Sequence, residues 1–279
     1  MKLKSHAKVN LSLNVVGKFR SKKHKIESIV SFLDFYDLIY LKPTISNKHK
    51  VYFTGKFARG ISRKNTISKL LHILDQKKLL NNQKFEIKII KNIPQQSGMG
   101  GGSMNAGSLI NYFYNNKIIK LKKKRLINLA NSIGSDVILG INPKNTILSS
   151  SGKLTKFKKK LGLHVLIVKP NFGCSTKFIY SKVRCYSKAK YNNPKQSLLS
   201  KKNIINSSNA LEKIVYKEHP KLIRIKLFLL KLSKVKFVRM SGSGSSILAY
   251  FYSKKATENA RKEFKKKFSN YWCITSKTI

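Results

Sequence analysis

Residues 85–116 read FEIKIIKNIPQQSGMGGGSMNAGSLINYFYNN. The opening FEIKIIKNIP (85–94) alternates in polarity, the period of a half-buried strand. From Asn105 onward NAGSLINYFYNN (105–116) reads as a helix. Between them stand Gly98 and the run Gly100, Gly101, Gly102. Strand, glycine loop and helix start form an anion cradle. Bare backbone lets N–H groups come close to a phosphate, and the helix start adds roughly half a positive charge. The bland alternative is a plain turn, which three consecutive glycines opening a helix disfavour. Two well-known loops are excluded. No Lys follows the glycines as GxxxxGK[ST] requires, and the acid that a dinucleotide loop needs about 20 residues on is absent.

A second glycine segment, SGSGSS (241–246), sits inside VKFVRMSGSGSSILAYFYS (235–253), which reads as strand, glycine turn, strand. Alone it is a hairpin turn. Two serine-bearing glycine turns in one chain point to a shared phosphate site.

The remaining pattern mixes both periods. VNLSLNVV (9–16) suits a half-buried strand, and IESIVSFLDFYDLIYLKP (26–43) one or two more, ending at Pro43. KVYFTG (50–55) and HVLIVKP (164–170) are further strands. Helical spacing runs through 65–80, with Asn65 placed to cap it, and through 121–134, which Gly134 ends. Two helices are expected at about 203–217 and 219–232, then an amphipathic basic helix at 256–268 and a closing strand WCITSKT. Strands grouped together and strands alternating with helices favour α+β over a doubly wound parallel sheet. The small, polar stretch TILSSSGKLTKF (146–157) places a boundary between domains 1–152 and 153–279.

Composition narrows the chemistry. Among 279 residues, 59 are Lys or Arg and 10 are Asp or Glu, a formal net charge of +49. The lysines are scattered through every segment and accompany abundant Asn and Ile, all with AT-rich codons. Drift therefore accounts for the charge better than a nucleic-acid interface, though such a field attracts any polyanionic substrate. Cys174, Cys185 and Cys273 show no CxxC spacing and the histidines no HxxxH, so neither a disulfide framework nor a dedicated transition-metal site is expected. No apolar run approaches the roughly 20 residues of a membrane span.

Three motifs carry a family resemblance that runs nearly end to end: AKVNLSLNVVGK (7–18), PQQSGMGGGSMNAG (94–107) and SGSGSSILAYF (241–251). GSDV (134–137), STKFIY (175–180) and NALE (209–212) extend it. The chain resembles the GHMP superfamily of kinases and is most similar within it to the 4-diphosphocytidyl-2-C-methyl-D-erythritol kinases. The resemblance implies a two-domain α+β kinase with mixed and antiparallel sheets and its active site between domains. ATP would bind through Pro94, Gln95, Gln96, Ser97, Gly98, Met99, Gly100, Gly101, Gly102, Ser103 and Met104. Gly242, Ser243 and Gly244 would form a phosphate-side loop. Asp136 would be the general base and Lys8 its partner. Asn10 and His24 would line the substrate side, and Tyr180 would stack on the cytosine ring. Magnesium would accompany ATP, on ligands the sequence leaves unknown.

Among the acids, Glu258 and Glu263 fall on a lysine-rich helix, Asp75 lies outside an apolar face, and Asp34 and Asp37 sit in a strand or turn. Asp136 alone follows a helix end in a small-residue segment soon after the glycine loop. The expected protein is a bacterial cytoplasmic enzyme, monomer or homodimer, acting on a small cytidine diphosphate substrate without membrane or nucleic acid. The rivals are another GHMP-type kinase, of homoserine or mevalonate type, and a basic RNA-binding protein on the same fold. The chain departs from the family pattern at Lys23, where an aromatic is usual, at Met104, where a second serine is usual, at Gln95–Ser97 and at Ala210. The expectation is a working but slow kinase in which Met104→Ser maintains or raises activity.

Overall fold

Strand β1 runs from Lys2 to Lys18, well beyond the alternating core at 9–16. This computed structural model describes residues 1–21 and 23–279. Successive side chains on a strand face opposite ways, so Ala7, Val9, Leu11, Leu13 and Val15 share one face and Lys8, Asn10, Ser12 and Asn14 the other. All nine are buried. The half-buried expectation is therefore corrected: the polar face of β1 is covered, and its polar groups must be partnered inside the protein.

Strand β2 is a single element, His24–Thr44, that runs through Pro43 instead of stopping there. β3 (Lys50–Thr54) lies parallel to β4 (Lys84–Ile90), and β4 pairs antiparallel with the later part of β2, Leu38 opposite Ile90. Helix α1 (Thr66–Gln76) starts on a capping box: the Asn65 side chain accepts from Ile67 N and Ser68 N, and the Ser68 hydroxyl accepts from Asn65 N. Helices α2 (Gly101–Asn115), α3 (Lys123–Ile133) and the short α4 (Val137–Gly140) follow.

The described chain divides into two units, neither a single stretch: residues 1–7, 35–95 and 100–143 in the first, and 8–34, 96–99 and 144–279 in the second. The first unit buries Phe85, Ile87 and Ile89 of β4 against Leu70, Leu74, Leu109, Ile110 and Phe113 of its helices.

In the second unit, β5 (Asn145–Leu148) and β6 (Leu154–Phe157) form an antiparallel hairpin, and β5 pairs with β2 at Ser28–Val30. The small, polar 146–157 is thus regular structure. β7 (His164–Lys169) leads to α5 (Thr176–Ser181), whose N-terminus Ser175 caps. The helix expected at 203–217 is broken into α6 (Lys201–Ile205) and α7 (Glu212–Glu218). Asn209 breaks it, because its side chain bonds Met240 O, Gly242 O and Leu211 N, a set that continuing helix would forbid. α8 (Lys221–Leu230), β8 (Phe237–Met240), β9 (Ile247–Phe251), α9 (Lys254–Lys267) and β10 (Trp272–Lys277) complete the chain. Antiparallel pairing gives the order β10-β7-β9-β8.

Candidate active site

In the first unit the glycine run is not all loop. Helix α2 begins at Gly101, four residues before the expected Asn105, and its N-cap is Gly100 in the left-handed region at φ 68°. No side chain caps the helix, and Met104 N closes the first turn on Gly100 O at 2.8 Å. The amides of Gly101, Gly102 and Ser103 thus head an uncapped helix, the donor set that receives an anion. Gly102 is exposed, and Gly101 and Ser103 are half-buried.

A buried charge hub lies beneath this turn. Asp37 accepts from Lys91 Nζ, from Asn92 N and Ile93 N at 2.8 Å each, and from Asn105 Nδ2 at 3.0 Å. A side chain on Gly101 would stand 3.1 Å from Lys91 Nζ and from the Ile93 side chain. Gln95 is tied elsewhere, donating to Phe57 O and Arg59 O. Pro94 and Met104 are buried, Met104 to 1% exposure. The Met104 side chain thus packs into the interior and is not presented to solvent at the head of α2.

Asp136 is the N-cap of α4, half-buried, and its carboxylate does not cap its own helix. Helix α4 is pressed against α2 through glycines. A Cβ on Gly107 would lie 2.5 Å from Val137 O and 2.7 Å from Gly140 Cα, and Gly140 in turn abuts the Met104 backbone. A Cβ on Gly134 would be 3.9 Å from Ser103 Oγ. The approach of the two helices sets the segment bearing Asp136 beside the first turns of α2.

In the second unit, Gln96–Met99 is stitched to β1 and to the 241–246 turn. Lys8 N donates to Met99 O at 3.1 Å, Ser241 Oγ to Gly98 O at 2.9 Å, and Ser246 N to Ser97 O at 3.3 Å. Gly98 has φ 74°, and a Cβ there would lie 1.9 Å from Ser241 O, so only glycine fits. Lys8 Nζ donates to Asn10 Oδ1 at 2.8 Å, and Asn10 Nδ2 to Ser28 Oγ at 2.7 Å. Asn10 thereby orients the lysine through its Oδ1 and is itself held at Ser28 by one of its two Nδ2 hydrogens. Ser243 Oγ in the glycine turn meets Thr176 Oγ1 of α5 at 2.9 Å. Gly242 and Gly244 both have positive φ, 53° and 84°.

Also in this unit, the His24 and Tyr180 rings lie 5.2 Å apart, tilted by 44°. His24 Nε2 is buried and meets no hydrogen-bond partner among the described residues. Burial, and secondarily the charge of Lys18, hold its pKa below the ordinary value. Among the remaining acids, Glu27 accepts from Lys190 N and Tyr191 N, Glu212 from Met240 N and Lys226, and Asp75 pairs with His49 and Lys84. No group of three His, Cys, Asp or Glu among the described residues could hold a metal ion.

Two family signatures match the chain, the GHMP kinases N terminal domain over residues 65–151 and the GHMP kinases C terminal domain over 191–270. A 4-diphosphocytidyl-2-C-methyl-D-erythritol kinase of Pelagibacter ubique is 57% identical over 278 residues, covering 100% of this chain and 99% of its own. The chain belongs to the 4-diphosphocytidyl-2-C-methyl-D-erythritol kinase family. Its fold agrees. A crystal structure of 4-(cytidine 5'-diphospho)-2C-methyl-D-erythritol kinase superposes with TM-score 0.78 at 20% identity, covering 99% of each chain. A homoserine kinase from Cytophaga hutchinsonii superposes with TM-score 0.71 at 18% identity over 100% of this chain and 94% of its own. Fold alone therefore does not choose a substrate within the GHMP kinases.

Several residues around this kinase's glycine segments escaped the sequence reading. Ser28, outside every motif, is an ordinary serine until its partners are known, and Ser241 and Thr176 lie in motifs without being singled out. Asp37, one of the two acids placed in a strand or turn, anchors the turn beneath Gly101 through its hub. Asn209 carried a signal in NALE, as Ser241 did in SGSGSS and Thr176 in STKFIY, and its two bonds to the Met240 and Gly242 carbonyls hold the glycine turn.

Proposed function

We propose that the protein transfers the γ-phosphoryl group of ATP to the 2-hydroxyl of 4-diphosphocytidyl-2-C-methyl-D-erythritol, a step in the non-mevalonate route to isoprenoid precursors, in a bacterial cytoplasm. The observation that carries the reading is the identity, sustained along the whole chain, to a kinase named for that substrate.

Phosphoryl transfer asks a protein for positioning and charge, with little covalent chemistry. The uncapped head of α2 and the Gln96–Met99 segment are assigned to the triphosphate. Asp136 is assigned as base: the hydroxyl oxygen bonds to the γ-phosphorus, and its proton passes to the carboxylate. The bond to the bridging oxygen then breaks, its electrons leaving with ADP. Lys8, steadied by Asn10, is assigned to the charge of the group in transfer. His24, kept neutral by burial, can donate or accept at a cytosine edge, and Tyr180 offers a ring face worth about 1–3 kcal/mol when a base stacks on it. Magnesium would arrive on the triphosphate and neutralise charge there.

The test is product formation by the purified protein with ATP, magnesium and 4-diphosphocytidyl-2-C-methyl-D-erythritol, followed by the phosphorus resonance of the new monoester. Cytidine diphosphate should compete with the substrate. Turnover of homoserine or mevalonate, indifferent to cytidine nucleotides, would hand the protein to another GHMP activity.

A further inference from the structure

Lys169 ends β7 and is 9% exposed. Its Nζ donates to Pro170 O at 3.0 Å and to Phe172 O at 2.9 Å. Among the described residues no carboxylate pairs with it, although a buried ammonium without a counter-charge costs stability. Burial pulls its pKa below the ordinary lysine value, with the neighbouring Cys174 acting weakly the other way. An apolar residue would suit the end of a buried strand better, so the charge needs a reason.

The reason lies in what the two carbonyls belong to. Phe172 O also accepts from Ser245 Oγ at 2.6 Å, so the lysine and the glycine turn share one acceptor. The next residue, Gly173, packs directly on Gln96, where a Cβ would stand 2.4 Å from Gln96 Cβ. Gln96 O then accepts from both Cys174 N at 3.4 Å and Ser245 N at 3.2 Å. Two residues later the same loop becomes helix α5, which carries Tyr180.

We propose that Lys169 is a positioning residue for phosphoryl transfer, its ammonium fixing the 170–174 loop against which Gln96–Met99 and the 241–246 turn are both set. This rests on the kinase reading above, since it is the nucleotide on that segment whose binding the loop would govern. A shift in the segment weakens ground-state contacts to the triphosphate, so the effect belongs in KM for ATP and not chiefly in kcat.

The experiment compares wild type, Lys169→Met, Lys169→Arg and, as a control for core damage in the same strand, Val168→Ala. Each is measured for thermal stability, for steady-state kinetics with ATP varied, and for calorimetric affinity toward a non-hydrolysable ATP analogue. Lys169→Met should raise KM and the analogue Kd about tenfold with kcat within about threefold, and Lys169→Arg should recover most of the loss. Val168→Ala should lose stability with KM within about twofold. If Lys169→Met does not fold, Lys169→Gln, which retains a donor without charge, is held to the same thresholds. Equal KM and Kd in wild type and variant, or a KM change in Val168→Ala matching that of Lys169→Met, overturns the positioning role and leaves the kinase reading standing. Absence of turnover in the wild type overturns the kinase reading, and the positioning role with it.

Discussion

At the scale of single residues, Asp136 and Met104 bear the sharpest tests. Asp136→Asn removes the proposed proton acceptor while preserving size, so kcat should fall by about 10²–10⁴. Affinity for a non-hydrolysable ATP analogue should stay within about twofold, and turnover near the wild-type rate would remove Asp136 as base. Met104→Ser was attractive from the sequence, as the return of a missing hydroxyl. Burial reverses that expectation. The new hydroxyl would enter a packed interior, so stability should drop by about 2–5 kcal/mol, read by denaturant titration, with no gain in ATP affinity. The residue identities at this scale were legible where a motif held them, as at Lys8 and Gly98. What covers them was not: alternation along β1 marks two faces of a strand, but a period of two says nothing about whether the polar face meets water or protein.

Among the elements, the junction of α2 with α4 matters most, because it determines where the Asp136 segment sits. Both glycines there are needed for contact between backbones. Gly107→Ala would drive a methyl group against Val137 O and Gly140 Cα, neither of which can turn aside as a side chain could. Misplacing a catalytic group by about an ångström costs on the order of 10²-fold. Gly107→Ala should therefore lower kcat by about that factor with a smaller change in KM, and a variant with unaltered kcat would show that the junction does not position the proposed base. The extent of α2 itself was only partly legible. Glycine is a poor helix former, so reading from propensity delays the start to Asn105. Packing overrides it: Gly101 rests on Lys91 and Ile93, and Thr66 Oγ1 donates to Gly102 O at 2.9 Å. The break between α6 and α7 escaped for the complementary reason, since the carbonyls that hold Asn209 belong to β8 and the glycine turn, some thirty residues on in the chain.

Over the whole molecule, a charge of +49 acts on every approach of an anion. With ATP and a cytidyl diphosphate as proposed substrates, the field speeds encounter, and salt screens it over about 10 Å at 0.1 M. kcat/KM should fall by about tenfold or more between dilute buffer and about 0.5 M potassium chloride, with kcat little changed. A salt-independent kcat/KM would make the charge a bystander in substrate capture. The class of fold was legible from the mixture of periods and the glycine segments. The sharing of residues between units was not. A linear reading divides a chain by cutting it, whereas this chain passes between units five times, after residues 7, 34, 95, 99 and 143.

That interleaving bears on how the protein is made. Residues 8–34 leave a ribosome well before the residues 144–279 with which they share a unit. Leu33 bridges Thr278, Ile279 N donates to Phe32 O at 3.0 Å, and β10 pairs with β7 only once residues 272–277 exist. A nascent chain therefore carries the apolar face of β1 and the early part of β2 until residues 272–277 emerge and their unit can close. Over that interval a chaperone that shields unpaired strands has the most to do, and truncation before residue 272 should leave an aggregating product rather than a smaller stable domain.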